Sequence, residues 1–330
     1  MDGNTLLVIK DGLTYDVSGL VQSIKWSGRR DSAARSLRVC LLDEDNSTHE
    51  RIGIALEEGQ RCVFFRDGRE LFRGMFMRSE QSRRRLMTLN AYDAGIYLSN
   101  NADSFYYSGR TASFIFRDVC TRFNIPFGAV DETLYIIDEL PKAKTTGYDV
   151  ICDALSRTYE ATGKRFIAVC EGDRLRLMRR RNNVLQWVIE RGANISDYSY
   201  SQDIEKIRTR VKLLNRHDET VAFRSAGDIE ARLGVFQTVL SAPNDLSPGK
   251  LKLLAASILR EGSRAKRTLS IEAVGRPEII TGLGVFIKIP HLSLEKSFYV
   301  ESDTHVFEGS RHMMSLTLSD ITDFDIEDDV

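Results

Sequence analysis

The sequence predicts a mainly β chain with an α+β insertion, in which two similar β units flank a small α+β region and a helix interrupts the second unit. Three observations predict it. The first hundred residues alternate apolar and polar side chains with the period of a half-buried strand. A related pattern returns late in the chain, where ISDYSYSQDIEKIRTRVKLLN (195–215) resembles VQSIKWSGRRDSAARSLRVCLLD (21–43). Between the two the hydrophobic period lengthens to that of helices. Setting Trp26-Ser27 over Tyr200-Ser201 places Val21 over Ile195 and Ile24 over Tyr198. With the loop shortened by two residues, Arg38-Val39 lies over Arg210-Val211, and Leu41-Leu42 over Leu213-Leu214. Each copy ends in a β-rich run closing on an aspartate: Met87, Leu89 and Asp93 in one, Met314, Leu316 and Asp320 in the other.

Residues 1–100 form the first unit. Leu6 to Ile9 is a short apolar strand followed by an Asp11-Gly12 turn. Ile24 and Trp26 alternate with polar neighbours, Gly28 to Ser36 is a polar loop, and Leu37, Val39 and Leu41 alternate again. Cys62 to Phe65 and Leu71 to Met77 flank Asp67-Gly68, which supplies the positive φ of a tight hairpin turn. Leu86 to Tyr92 completes five or six strands, which, with little helix to cover them, are expected to close as a barrel or sandwich.

Residues 101–190 form the middle region. Thr111 caps a predicted helix with Ile115, Val119 and Phe123 inward, ended by Asn124 and Pro126. Thr146 with Asp149 reads as a capping box opening a second helix, which Gly163 stops. A hairpin follows, turning at Glu171-Gly172-Asp173. Residues 191–330 hold the second unit, with a helical insertion at 225–266 and an acidic tail at 320–330. Within the insertion Ser247 caps a helix that has Pro248 at its first position and Leu251, Leu254, Ile258 and Leu259 on one face. Strands then resume through Leu318.

Composition narrows the function classes. The chain has 330 residues, 42% hydrophobic and 28% charged, and its 46 basic and 47 acidic residues nearly cancel, so charge exerts no global pull on nucleic acid. Five scattered cysteines form no CxxC pair and read as small buried residues of a reducing compartment. No apolar run of about 18 residues occurs, so membrane insertion is not expected. The triplets Arg83-Arg84-Arg85 and Arg179-Arg180-Arg181 read as hairpin tips and the acidic tail as a solvated end, with docking on charged partner subunits as the alternative.

Catalytic patterns are missing from the sequence. There is no GxxxxGK[ST] loop, GxGxxG turn, HExxH helix or GxSxG elbow. His305 and His312 face each other across a predicted hairpin without further metal-like spacing, so neither metal nor cofactor is expected. Glu301 with Asp303, and the Asp43-Glu44-Asp45 cluster, are the carboxylates from which a glycoside hydrolase would have to be built. Phe105-Tyr106-Tyr107 offers aromatic surface for base stacking, yet the balanced charge argues against specific nucleic-acid binding.

The order of β unit, α+β region and interrupted β unit resembles the baseplate hub proteins of contractile phage tails. It is closest to the XkdQ/YqbQ family of prophage elements, related to R-type bacteriocins, with late-control D and type VI spike proteins further away. Four segments carry the resemblance: IKWSGRRDSAARSLRV (24–39), ISDYSYSQDIEKIRTRV (195–211), IEAVGRPEIITGLGVFIKI (271–289) and FYVESDTHVFEGSRHMMSLTL (298–318). The resemblance implies two tail-tube-like β-barrels and a structural, non-enzymatic hub within a virion or tail particle assembled in the bacterial cytoplasm. It also implies a homotrimer whose six β units form a pseudo-six-fold ring joining the hexameric tail tube to a trimeric spike. Tube, spike, other baseplate proteins and the tape-measure protein are the implied partners. Relatives labelled cell-wall hydrolases suggest peptidoglycan cleavage as the competing function, but the resemblance carries no catalytic residues over. Gly28, Arg29, Arg30 and Asp31 in one loop, and Gln202, Asp203 and Ile204 in the other, are the expected oligomer or tube contacts.

Overall fold

The alternating opening segment folds into seven strands in a computed structural model, which describes residues 3–42, 55–82, 86–180, 184–190, 194–243 and 246–320. Arg83-Arg84-Arg85, Arg181, the Asp43-Glu44-Asp45 cluster, His49 and the tail beyond Asp320 lie outside the described residues. The strands are β1 (Asn4–Lys10), β2 (Leu13–Asp16), β3 (Val21–Arg29), β4 (Ser36–Leu42), β5 (Arg61–Arg66), β6 (Arg69–Ser82) and β7 (Leu86–Tyr92). The Asp67-Gly68 turn takes the expected positive φ at both positions, 48° and 79°.

The middle region runs α1 (Ile96–Asn100), β8 (Ala102–Thr111), α2 (Ala112–Arg122), β9 (Phe127–Val130), β10 (Ile136–Thr146), α3 (Gly147–Thr162), β11 (Phe166–Glu171) and β12 (Arg174–Arg179). Its helices begin where their caps dictate. Thr111 accepts from the Phe114 N–H, Thr146 accepts from the Asp149 N–H, and Gly163 ends α3 in the left-handed conformation. The apolar faces of α2 and α3 pack together over β8, β10 and β12 around Ile115, Phe116, Val119, Val150 and Ile151.

The last third contains β13 (Val184–Glu190), β14 (Ile195–Asp203), β15 (Arg210–Leu214), β16 (Thr220–Ser225), α4 (Gly227–Leu233), β17 (Gln237–Ser241), α5 (Pro248–Gly262), β18 (Lys266–Val274), β19 (Gly284–Ile289), β20 (Leu294–Glu308) and β21 (Arg311–Asp320). Ser247 caps α5 as expected. One sheet of 13 strands holds both β units, in the order β14-β18-β21-β20-β3-β4-β7-β6-β5-β1-β2, with β19 also on β20 and β13 on β19.

The two units repeat a topology strand for strand. β3-β4-β7-β6-β5 in the first corresponds to β14-β18-β21-β20-β19 in the second. Their ladders share registers and irregularities. β3 and β14 skip Gln22 and Ser196, and β6 and β20 skip Met77 and Glu301. Three independent ladders then return one equivalence, in which Val39 matches Ile271, Leu89 matches Leu316 and Ala91 matches Leu318, all of them buried. Met87 over Met314 and Leu89 over Leu316, as aligned in the sequence, stand in equivalent places.

The other half of the sequence alignment is corrected. Arg210 to Leu214 is not the counterpart of β4. β15 pairs with β16 and β17 in a separate three-stranded sheet, under α5, and β18 occupies the place of β4. A five-residue alternation specifies a strand but not its partner, so the two runs look alike in sequence. The units also part at the last strand, because β1 runs antiparallel to β5 whereas β13 runs parallel to β19.

Where β7 hands over to the middle region, Asp93 takes the Gly95 N–H at 2.9 Å, and a Cβ on Gly95 would lie 2.0 Å from the Ala33 carbonyl oxygen. Backbone cannot yield there as a flexible side chain would. Gly95→Ala is therefore expected to destabilise the fold by about 3 kcal/mol or more, read as a lowered thermal midpoint.

Candidate subunit interface

The first predicted contact loop lies over a buried junction between the units. β3 pairs antiparallel with the second half of β20, Gly28 opposite Asp303 and Trp26 opposite His305. Asp303 faces inward and is 2% exposed, so its charge requires a partner. Arg35 supplies it with two hydrogen bonds of 2.8 and 2.5 Å, and Asp303 also accepts from the Thr281 N–H at 2.7 Å and its hydroxyl at 2.6 Å. Burial would raise the Asp303 carboxyl, but the Arg35 charge and hydrogen bonds hold it below the usual range. Gly28 is bare because the guanidinium crosses it: a Cβ there would lie 2.2 Å from Arg35 Nη1.

Arg30 ties three parts of the chain together. Its N–H donates to the Glu301 carbonyl at 2.9 Å, its side chain pairs with the Glu301 carboxylate at 2.8 Å, and its carbonyl accepts from Tyr148 of α3 at 3.0 Å. Arg180, 2% exposed, donates at 3.1 Å to the other Glu301 carboxylate oxygen. This corrects the reading of the second arginine triplet as a hairpin tip, since one of its members is an internal strut. Arg29 and Asp31 pair with each other at the surface. The first loop is thus an intrachain joint.

The second loop is placed differently. Gln202 and Asp203 end β14, whose outer side carries no strand among the described residues, and Ile204 is 49% exposed. The structure therefore does not bring the two predicted loops together. It places them at equivalent positions of the two units, Gly28 matching Gln202 and Arg30 matching Ile204.

Other candidates resolve into structural roles. Burial pushes the thiols of Cys62 and Cys120 up to about 12, far from a nucleophile's range. Glu301 and Asp303, the candidate hydrolytic carboxylates, are both engaged by arginines. The aromatic run offers no stacking platform, because Phe105 and Tyr107 are buried and only Tyr106 is exposed. A cleft of about 730 Å³ opens between α3 and α5, but Glu261 on its wall is already paired with Arg165 and Tyr159. Among the described residues no group of three or more His, Cys, Asp or Glu is placed to hold a metal, and no helix is long and apolar enough to cross a membrane.

His305 and His312 do meet across the β20–β21 hairpin, Nδ1 to Nε2 at 3.0 Å, and His305 Nε2 lies 3.0 Å from the Ile279 carbonyl. That carbonyl fixes the His305 proton on Nε2, so its Nδ1 accepts from His312. Burial and the neighbouring imidazole pull His312 down to about 3.

Comparison with known proteins matches this architecture to phage tail proteins. The 43 kDa tail protein of prophage MuSo2 from Shewanella oneidensis superposes with a TM-score of 0.70 at 10% identity, over 95% of this chain and 97% of that one. The E. coli c3393 protein, a type VI secretion component described as similar to T4 bacteriophage tail proteins gp27 and gp5, superposes at 0.60 with 9% identity, over 95% of this chain and 76% of that one. The fold is that of phage tail proteins. Within that class the chain belongs to the YQBQ-like family, whose model matches residues 24–319. The phage-like element PBSX protein XkdQ of Bacillus subtilis (strain 168) is 32% identical over 316 residues, covering 94% of this chain and 95% of that protein.

Two outcomes test the junction. Asp303→Ala strands the Arg35 charge in the core and is expected to cost about 3–5 kcal/mol in chemical denaturation, with much of the loss recovered in the Arg35→Met, Asp303→Leu double variant. The second concerns pH. His312 sits near 3 when folded against an ordinary 6.5, so between those values only the unfolded chain holds the extra proton. Stability present above about pH 6.5 is then lost as pH falls. Buried Asp93, pushed up to about 6, acts in the opposite sense below that value, so the variant comparison isolates the histidine. His312→Gln is expected to lose less stability than the parent between about pH 7 and about pH 5, by roughly 1–2 kcal/mol in thermal melts. Equal losses would reject the assignment.

Proposed function

We propose that this chain is a structural hub subunit of a contractile tail baseplate, of which three copies make a pseudo-six-fold ring between a hexameric tail tube and a trimeric spike. The observation that carries the reading is the doubled β unit: one strand order and one register occur twice in a single sheet, so each chain presents two near-equivalent faces. Three such chains supply six faces, while the parts that occur once leave a three-fold object. Those parts are the middle region and the separate β15–β17 sheet with α5. On this reading residues 1–100 and 191–330 are tube-like units and 101–190 is the middle domain, with the boundary at 190 moved back so that β13, which pairs with β19, joins the second unit. The acidic tail after Asp320 docks on a basic partner surface. The role needs no catalytic group, and the tail-protein relatives are consistent with that.

Deleting the gene from its parent element is expected to abolish assembled tails under the electron microscope, with complementation restoring them. Quantitative mass spectrometry of purified particles should find three copies per particle. A count of one or six, or normal tails without the chain, would overturn the reading.

A further inference from the structure

The intrachain joint between β3 and β20 has an unfilled counterpart. β3 corresponds to β14 and the second half of β20 to the second half of β6, through the shared skips at Gln22 and Ser196 and at Met77 and Glu301. β3 is covered by β20, whereas among the described residues β14 pairs only with β18, and β6 beyond Phe76 pairs only with β7. We propose that β14 of one copy adds antiparallel to β6 of the next, repeating the β3–β20 ladder between chains. Transferring the register sets Asp203 opposite Arg78, Gln202 opposite Ser79, Ser201 opposite Glu80 and Tyr200 opposite Gln81. The inference rests on the proposed ring and names the edges that close it.

Chemistry on the two edges supports a second copy as the occupant. The register places an aspartate across from an arginine, in the position where Arg29 faces Ser302 within the chain. Where Arg30 pairs with Glu301 in the joint, the free edges carry Ile204 and Met77, two of the chain's exposed large apolar side chains, at 49% and 41%. The hydroxyl–carboxylate pair beside the joint also recurs with its members exchanged. Thr281 donates to Asp303 there, while at the free edge Ser79 donates to Glu58 through both its hydroxyl and its N–H, the latter at 3.0 Å. That N–H corresponds to the one Asp303 turns toward Gly28, so the exposed Glu58 carboxylate holds the place of the neighbour's Gln202 carbonyl and is displaced from it when the copies pair. The tyrosines agree. Ile24 and Trp26 are sealed by the joint, at 0% and 4% exposed, while their counterparts Tyr198 and Tyr200 stay half-buried on the open edge. Donor and acceptor edges differ, so the contact is heterologous and closes only as a ring.

Glu80 and Ser201 would form a non-hydrogen-bonded pair, the closer of the two antiparallel spacings and within disulfide reach. The test is mild oxidation of a Glu80→Cys, Ser201→Cys variant, both as purified chain and in assembled tails, read on denaturing gels without reductant. Covalent trimers are expected from the double variant in at least one preparation. Each single variant and the shifted pair Glu80→Cys, Ser199→Cys should stay monomeric, which controls for the native cysteines. In solution Asp203→Arg should weaken self-association about tenfold, and adding Arg78→Asp should restore it. No covalent trimer in either preparation overturns the pairing, as does equal cross-linking of the shifted pair or a bond to another tail protein. If three copies per particle are counted while no bond forms, only the edge assignment falls and the hub reading stands.

Discussion

The sheet depends on one long strand. β20 spans Leu294–Glu308, pairing with β19 through its first half and β3 through its second, with β21 along its other side. The buried network that holds the two units together is laid out around that second half, with Arg66 on the Gly309 and Ser310 carbonyls and Arg69 on Glu278 adding surface contacts. Asp303 faces inward, so it requires Arg35; Arg35 must cross the strand, so position 28 is bare; and the skip at Glu301 turns that carboxylate toward Arg30 and Arg180. Arg180 stands at the end of the middle region, which fixes three hydrophobic clusters to the same few residues. A buried ion pair is weak evidence for stability, because desolvation offsets attraction, yet breaking it leaves an uncompensated charge. Any arrangement of the units that parts Arg35 from Asp303 therefore leaves a buried charge unpaired.

The repeat shows which constraints a β unit keeps when its sequence drifts. Backbone registers, skips and the hydrogen bonds beside them persist: Phe76 donates to the Gln60 carbonyl as Val300 donates to that of Leu283, at 2.9 Å in both. Side chains vary within the volume of each core. Leu41 stands where Ala273 does, and Ala91 stands where Leu318 does two core rows further along, so losses and gains of volume are spread over the core face. Such compensation keeps packing dense while erasing similarity.

What could be read from the sequence follows from the same physics. Helix starts were legible at Thr111, Thr146 and Ser247, because a cap is a local hydrogen bond. The match of β3 to β14 was legible because Trp26 and Tyr200 share an alternation. β4 found the wrong counterpart because α5 and a three-stranded sheet stand between β14 and β18, and alternation carries no record of its partner. The joint was hidden by distance, Arg35 and Asp303 being 268 residues apart. A trace was present: Asp303 shares the inward parity of His305 and Phe307, and a charge on the apolar side of a strand implies a distant counter-ion. The first contact loop is a polar, exposed loop at Arg29, Arg30 and Asp31, as its sequence suggested, but polar residues between strands carry no sign that Arg30 also reaches Glu301.

Two open edges of the doubled sheet, β14 and the part of β6 beyond Phe76, answer a problem that all edge strands pose. An exposed row of backbone donors and acceptors pairs with any other edge unless something restricts it. β14 is restricted by composition, since Ser199, Ser201, Gln202 and Asp203 offer no apolar stripe to an unspecific partner. β6 is restricted by occupancy, since Glu58 already takes the Ser79 N–H. The skips at Ser196 and Met77 bend both strands away from a flat template, so only a strand with matching irregularity lies along them for its full length. The chain holds one example of such a match inside itself, in β3 on β20. The geometry that joins its halves is thus also the one that a strand added to either open edge would have to match.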